Sequence, residues 1–499
     1  MAFNSRNLGK KRKELESKIS SQRKARAERR IVLGFSNMPV RRSVATGRVP
    51  NRQLRALLEE VGWTEDELAR RVNGVAAESG LMLRLDRRSV THWLAGRRPR
   101  PPMPALIAEA FSRGLRRTLT LVDIGLGPEG RRPQRDGATA LGCASRPDAG
   151  AELTQLARFT GAHPQAVAGG AYRLALLTVP GWAEAVESRP VKVSVPEVSR
   201  LGPGQVATIE SMVQVFSDSD TTFGGGRARA ALMAYLTSDV APWLRESMDR
   251  RLRRRLLSAA TELTYLVGFM CFDDECHGLA QRYYRTALEL ATRNRDPAAY
   301  AVTLRAMSVQ ARVLGHRRHA EHLAEVAVIT SRGAARPVHK AFFWGQLAVA
   351  TAAADNRRGA VSALSAAERH LDQATSVTVP DDGAPMGGYH PAALFHQEAA
   401  VRALLGDGKG AITALSASIR HRPLCERRSR AILHARLAEL HLDQGHLESA
   451  IAAWQAFVED YPQLTSGRAC TALDIMRSRL RPHGTHPAIR QLLARAAAA

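Results

Sequence analysis

The sequence predicts an all-α protein, an N-terminal helix-turn-helix bundle followed by an α-solenoid of tetratricopeptide-like helix pairs. Three observations carry that reading. Apolar residues recur at helical spacing through most of the chain, as in Leu54, Leu57, Leu58 and Val61, a period that places them on one face. Turn residues return at intervals of 37 to 52 residues in the C-terminal half, at Gly315-His316, Asp355-Asn356-Arg357, Gly408-Lys409 and Gly445-His446, and periods of this size mark stacked helix pairs. Strand-like alternation is confined to Val186–Leu201, where Val191, Val193, Val195 and two prolines predict an extended connector.

A chain of 499 residues, 45% of them hydrophobic, has the length for two to four domains. Its formal net charge is +25, which favours a polyanionic partner. Residues 1–50 hold 14 basic and 3 acidic side chains; with little to bury, they predict a basic, flexible or partly helical extension. Residues 51–127 are the first domain. Gly62 ends its first helix, and Thr64 caps a second with Glu67 three positions on. Leu68, Ala69 and Val72 supply the second helix's buried side. Asp86 or Ser89 opens a third through Val90, Trp93 and Leu94, and Gly96 with Pro99, Pro101 and Pro102 stops it. A fourth follows Pro104, and Leu119–Leu126 adds apolar closure. Residues 128–150 form a linker rich in Gly, Pro and Arg. A helical middle domain over 151–285, a repeat domain over 286–482 and a tail over 483–499 complete the chain. The clearest repeat is Ala431–Tyr461, with Pro462 just past its end. An insertion rich in Pro, Asp and Gly interrupts the array at Thr378–Gly388.

The chemistry concentrates at Asp86–Arg100. Val90, Trp93 and Leu94 sit at i, i+3 and i+4 and must face the bundle, which turns Arg87, Arg88, Ser89, Thr91 and His92 outward. Arginine pairs bidentately with guanine, and serine or threonine bonds a base edge or a phosphate. Arg97, Arg98 and Arg100 follow in a proline-bearing loop suited to phosphate contacts. These eight residues are the candidate DNA-binding set. The partner is double-stranded DNA, bound by a homodimer that reads two half-sites.

The segments Leu54-Arg55-Ala56-Leu57-Leu58-Glu59, Trp63-Thr64-Glu65-Asp66-Glu67-Leu68-Ala69 and Ser89-Val90-Thr91-His92-Trp93-Leu94-Ala95-Gly96 resemble the head of the phage-repressor-like (XRE-type) helix-turn-helix regulators. That resemblance implies that the recognition helix begins around Ser89-Val90-Thr91. The departure is Asn73–Leu85, longer than the usual connection between the motif's two helices. The whole layout, with Phe223-Gly224-Gly225-Gly226-Arg227-Ala228-Arg229 and Val240-Ala241-Pro242-Trp243-Leu244, is similar to streptomycete negative regulators of sporulation and antibiotic production. It implies a sequence-specific repressor whose repeat tail dimerises, senses a peptide, small molecule or protein ligand, or does both.

Other motifs support no second chemistry. Gly224-Gly225-Gly226 lacks the Lys-Ser or Lys-Thr ending of a nucleotide loop and reads as a tight turn that lets a helix pack closely. The arginines of Arg250–Arg255 wrap too far round a helix to form one stripe and read as solvated or paired with Glu246 and Glu262. Cys271, Cys276 and His277 beside Asp273-Asp274-Glu275 lack zinc spacing and read as a turn with solvated acids. His163, His316, His319 and His322 are placed on helical surfaces, and Trp182, Trp243, Trp344 and Trp454 read as packing anchors. No nucleophile elbow, HExxH, dinucleotide or Walker pattern occurs, so no enzyme activity and no cofactor are expected. Five cysteines do not make a disulfide framework. With no signal-like segment or 18-residue apolar run found, the expectation is a cytoplasmic, nucleoid-associated protein with no membrane contact. The alternative is a non-enzymatic helical-repeat adaptor or scaffold whose basic head contacts protein, RNA or membrane.

Overall fold

The computed structural model describes residues 49–78, 81–127, 149–157, 171–187, 202–246, 248–333, 335–375 and 389–498. Nearly all of the basic extension and of the linker, most of Val186–Leu201, His163 and the Thr378–Gly388 insertion lie outside them. The described residues are helical and contain no strand, as the sequence predicts.

Four helices build the head: α1 (Arg52–Val61), α2 (Glu65–Ala77), α3 (Arg87–Leu94) and α4 (Met103–Leu115). Their ends follow from local chemistry. The Asn51 side chain accepts from Leu54 N at the start of α1, and Gly62 closes it with φ +70°. Thr64 accepts from Glu67 N at 3.2 Å to start α2. Leu54, Leu68, Val90, Ile107 and Phe111 are fully buried together, joined by Leu119 and Ile124 from the closing segment.

Beyond the head come α5 (Ala149–Ala157), α6 (Trp182–Glu187), α7 (Pro203–Phe223) and α8 (Gly225–Tyr235). Five helix pairs follow: α9 (Arg250–Asp273) with α10 (His277–Asn294), α11 (Pro297–Val313) with α12 (Arg317–Ser331), and α13 (Pro337–Ala353) with α14 (Arg357–Thr375). The last two are α15 (Pro391–Leu404) with α16 (Gly408–His421) and α17 (Arg427–Asp443) with α18 (Leu447–Asp460). The two final helices are α19 (Gly467–Leu480) and α20 (Pro487–Ala498). The pairs start at Arg250, so a boundary at 285–286 falls inside α10.

One turn design repeats in every pair. A left-handed residue stands at Glu275, Gly315, Asp355, Gly406 and Gly445, 40, 40, 51 and 39 residues apart. The next residue donates its backbone N–H five positions back, as in Cys276 N to Cys271 O and His316 N to Ala311 O, both 2.8 Å. These bonds satisfy the carbonyls a helix end exposes. Alanines such as Ala301, Ala341, Ala431 and Ala450 are buried and let the helices approach closely. Helix α20 buries Ile489, Leu492 and Ala496 against the last pair, covering the array's terminal apolar surface.

The array also returns to its own start. Thr465 N donates to Phe223 O at 2.7 Å, and Gly226 N to Thr465 O at 2.9 Å. A Cβ on Gly224 would stand 2.7 Å from Thr465 O, one on Gly225 2.7 Å from Met270 Cα, and one on Gly467 2.7 Å from the Asp274 carbonyl carbon. The glycine run is therefore a close-packing device, as its sequence suggests. Asp273 is fully buried and accepts from Arg428 Nη1 at 3.2 Å and from Arg468 Nη2 at 2.7 Å. Arg428 Nη2 lies 3.1 Å from Asp220, also buried, and stacks over Phe269. These acids are not all solvated, contrary to the expectation for Asp273-Asp274-Glu275. At Asp273, solvent is replaced by two guanidiniums arriving from 155 and 195 residues downstream.

Three other expectations change. Arg255 pairs with Glu210 at 2.6 Å and Arg253 donates to the Glu246 carbonyl, whereas Glu262 accepts from the Ser258 hydroxyl rather than pairing with an arginine among the described residues. Burial pushes the Glu262 carboxyl up to about 7. His316 is half-buried rather than free on a helical surface: its ring stacks on Tyr172 at 5.6 Å and 2°, and burial lowers it to about 3. Helix α9 is long and apolar enough to cross a membrane by length and composition, although no such run was expected; here it carries Leu256, Leu263, Val267 and Met270 into the protein core. Trp454 is fully buried, and Trp182, Trp243 and Trp344 pack against the cores, as anchors should.

Candidate nucleic-acid interface

Helix α3 is short, and its pose is set from both ends. Asp86 is its N-cap, accepting from Ser89 N at 3.0 Å and Ser89 Oγ at 2.9 Å. The backbone bond, then the hydroxyl bond, hold the Asp86 carboxyl below the usual carboxylate range. At the other end Gly96 has φ +91°, and a Cβ there would meet Val49 O at 2.1 Å. Asn51 N donates to Leu94 O, and Asn51 Nδ2 donates to Ile124 O at 2.9 Å. One asparagine thus ties α1, the end of α3 and the closing segment together.

The long connection before α3 is pinned by a second carboxamide. Asn73 of α2 donates to Leu85 O and accepts from Leu85 N, each at 3.0 Å. Leu81, Leu83 and Leu85 are half-buried against the head core while Met82 and Arg84 are exposed, the alternation of an extended segment. The insertion therefore lengthens the path without displacing the reader from α2.

Val90, Trp93 and Leu94 are buried, at 0%, 6% and 3% exposure, so the opposite side of α3 must face out. Arg87, Arg88, Thr91 and His92 are exposed there, as are Arg97, Arg98 and Arg100 in the following loop, while Ser89 is half-buried. All eight predicted residues thus lie on one short stretch, but they are not equivalent. The Ser89 hydroxyl is spent on the cap. Thr91 Oγ1 donates to Glu65 Oε2 at 2.6 Å and contacts Arg87 O at 3.0 Å. Arg87 Nε stands 3.6 Å from the same Glu65 oxygen with its side chain 72% exposed. Arg98 donates to Gly127 O at 2.5 Å. The remaining exposed side chains of the set are Arg87, Arg88, His92, Arg97 and Arg100.

Glu65 and Asn73 organise this face, yet sequence reasoning gave neither a site role. Glu65 carried a signal as an acid in the first turn of α2; its meeting with Thr91, 26 positions on, is tertiary. Arg113 was also missed. It forms a bidentate pair with Glu78 at 2.5 and 2.8 Å, bonds Glu109 at 2.9 Å and donates to Tyr172 O at 3.2 Å. Glu109 in turn accepts from Leu174 N at 3.0 Å, and burial raises its pKa despite Arg113. On the other side of this strap, Gln281 of α10 accepts from Arg173 N and donates to Arg173 O, both 2.9 Å. The segment Ala171–Leu177 thus fastens the head to the helix pairs.

The family described as SP15 N-terminal domain matches residues 54–127, nearly the span of the head. No curated protein matches the chain.

Proposed function

We propose that the chain is a sequence-specific DNA-binding regulator, acting as a repressor, whose α3 enters the major groove. The observation that carries this reading is the two-sided chemistry of α3: a tryptophan-bearing buried side, and an exposed side with Arg87, Arg88 and His92 leading into Arg97 and Arg100. A bound protein blocks polymerase by occupancy, and a homodimer doubles the sequence read. The place of action is the cytoplasm, on the nucleoid, and no catalytic step is part of the proposal.

The architecture itself, a helical bundle joined to stacked helix pairs, is that of a scaffold for protein or ligand contacts. A second reading, an adaptor whose head docks another macromolecule, draws on that architecture and on a specific observation. Two of the expected base-reading hydroxyls, Ser89 and Thr91, are already donating to Asp86 and Glu65, and Met82 of the same head stands 86% exposed.

Selection from a random duplex pool at moderate salt separates the two. The DNA reading expects an enriched sequence. Arg87→Ala and Arg88→Ala should each relax selectivity by about 1–3 kcal/mol, while Arg97→Ala weakens all duplexes alike. A pool recovered without enrichment would leave only the adaptor.

A further inference from the structure

The inner side of the array holds two arginines that neither the closure nor the head uses. Arg305 and Arg312 lie seven positions apart on α11, two turns and about 10.5 Å along one face. Arg305 stacks its guanidinium 3.8 Å over the Phe342 ring of α13. Phe342 meets Tyr389 edge-on at 5.4 Å, and Tyr389 donates to Gln397 Oε1 of α15 at 2.5 Å.

No described carboxylate pairs with either arginine, and the Nε of each is buried with no hydrogen-bond partner. The neighbouring charges make the vacancy plainer. Arg312 feels the like charges of Arg305 and Arg436, and Arg305 is further influenced by the phenols of Tyr265, Tyr389 and Tyr284. His396, on α15, feels the charges of Arg422, Arg312, Arg305 and Arg468. Of these, Arg422, Arg436 and Arg468 have carboxylate partners in Glu426, Glu439 and Asp273. Burial holds Arg305 and Arg312 below the usual arginine range. Like charges gathered without a counter-charge oppose folding, and a guanidinium stacked on a ring keeps its edge donors free for a planar oxyanion.

We propose that this inner face binds an acidic peptide in extended form, its carboxylates pairing with Arg305 and Arg312 over a floor of Phe342 and Tyr389. An extended chain advances about 3.3 Å per residue, so three residues match the rise between the two arginine positions on α11. The site does not depend on whether the head reads DNA.

The test uses the full chain and fluorescein-labelled hexaglutamate, read by anisotropy at moderate salt. The double variant Arg305→Gln/Arg312→Gln should weaken binding by about tenfold or more, from the loss of charged hydrogen bonds. The exposed pair Arg251→Gln/Arg254→Gln on α9 should leave binding unchanged. With like charges removed, the unliganded double variant should melt no lower than wild type and should bind DNA as wild type does. Four results would overturn the proposal: no binding by wild type, equal loss in the α9 control, a lower melting temperature in the double variant, or displacement by inorganic phosphate as effective as by unlabelled hexaglutamate.

Discussion

Arg428→Met is expected to destabilise the chain by about 3–5 kcal/mol, because removing one partner leaves buried charge without compensation. Asp220 and Asp273 are 3% and 0% exposed, and the Arg428 guanidinium touches both. Arg468 would still hold Asp273, but Asp220 would lose its guanidinium partner while the like charges of Asp273 and Asp274 stay close by. Burial already pushes Asp220 up to about 6, whereas Arg428 and Arg468 together outweigh burial at Asp273 and bring it down to about 2. The sign of the pH dependence follows. The stability from Asp273 is present above its unfolded value near 3.8 and is lost as pH falls through about 2. Asp220 works oppositely, its contribution fading as pH rises through about 6. Urea unfolding followed by circular dichroism at pH 7 and in that acid range checks both statements. An unchanged midpoint for Arg428→Met would show that the closure contributes nothing.

Trp93→Ala should cost the head about 3–5 kcal/mol, the usual range for emptying a buried aromatic site, and should abolish duplex enrichment. The indole fills the space behind α3 with Val90 and Leu94, so its loss removes the surface that fixes which way Arg87 and Arg88 point. Arg87→Ala/Arg88→Ala is the matching control, since both side chains are exposed and their loss should leave the melting curve in place. Unfolding of the head and duplex selection are measured on the same preparations. Trp93→Ala protein that still enriches the wild-type sequence would show that recognition does not run through α3.

What the sequence disclosed was mostly local. Thr64, Gly62, Asp86 and Gly96 mark helix ends through side-chain or left-handed chemistry that acts within a few residues, and each stands where that chemistry requires. The pair turns were legible at Gly315, Asp355 and Gly445 for the same reason. The turn at Glu275 was legible too; what its acids did not show is that one of them, Asp273, is buried. The long-range partners were not legible. Nothing in Asp273 announces Arg428 and Arg468, nothing in Asn73 announces the backbone of Leu85, and Thr91 does not point to Glu65 until the helices are packed. The eight basic and hydroxylated residues were located as a group, but their inequality depends on such tertiary hydrogen bonds.

The joining of Asp220, Gly226 and Asp273 to Arg428, Thr465 and Arg468 bears on how the tail comes apart. An open stack of helix pairs frays from its last unit inward, each loss breaking a single interface. Here the last units are clasped by the first, so detaching either end also tears the other. Peeling becomes expensive, and partial opening gives way to all-or-none melting.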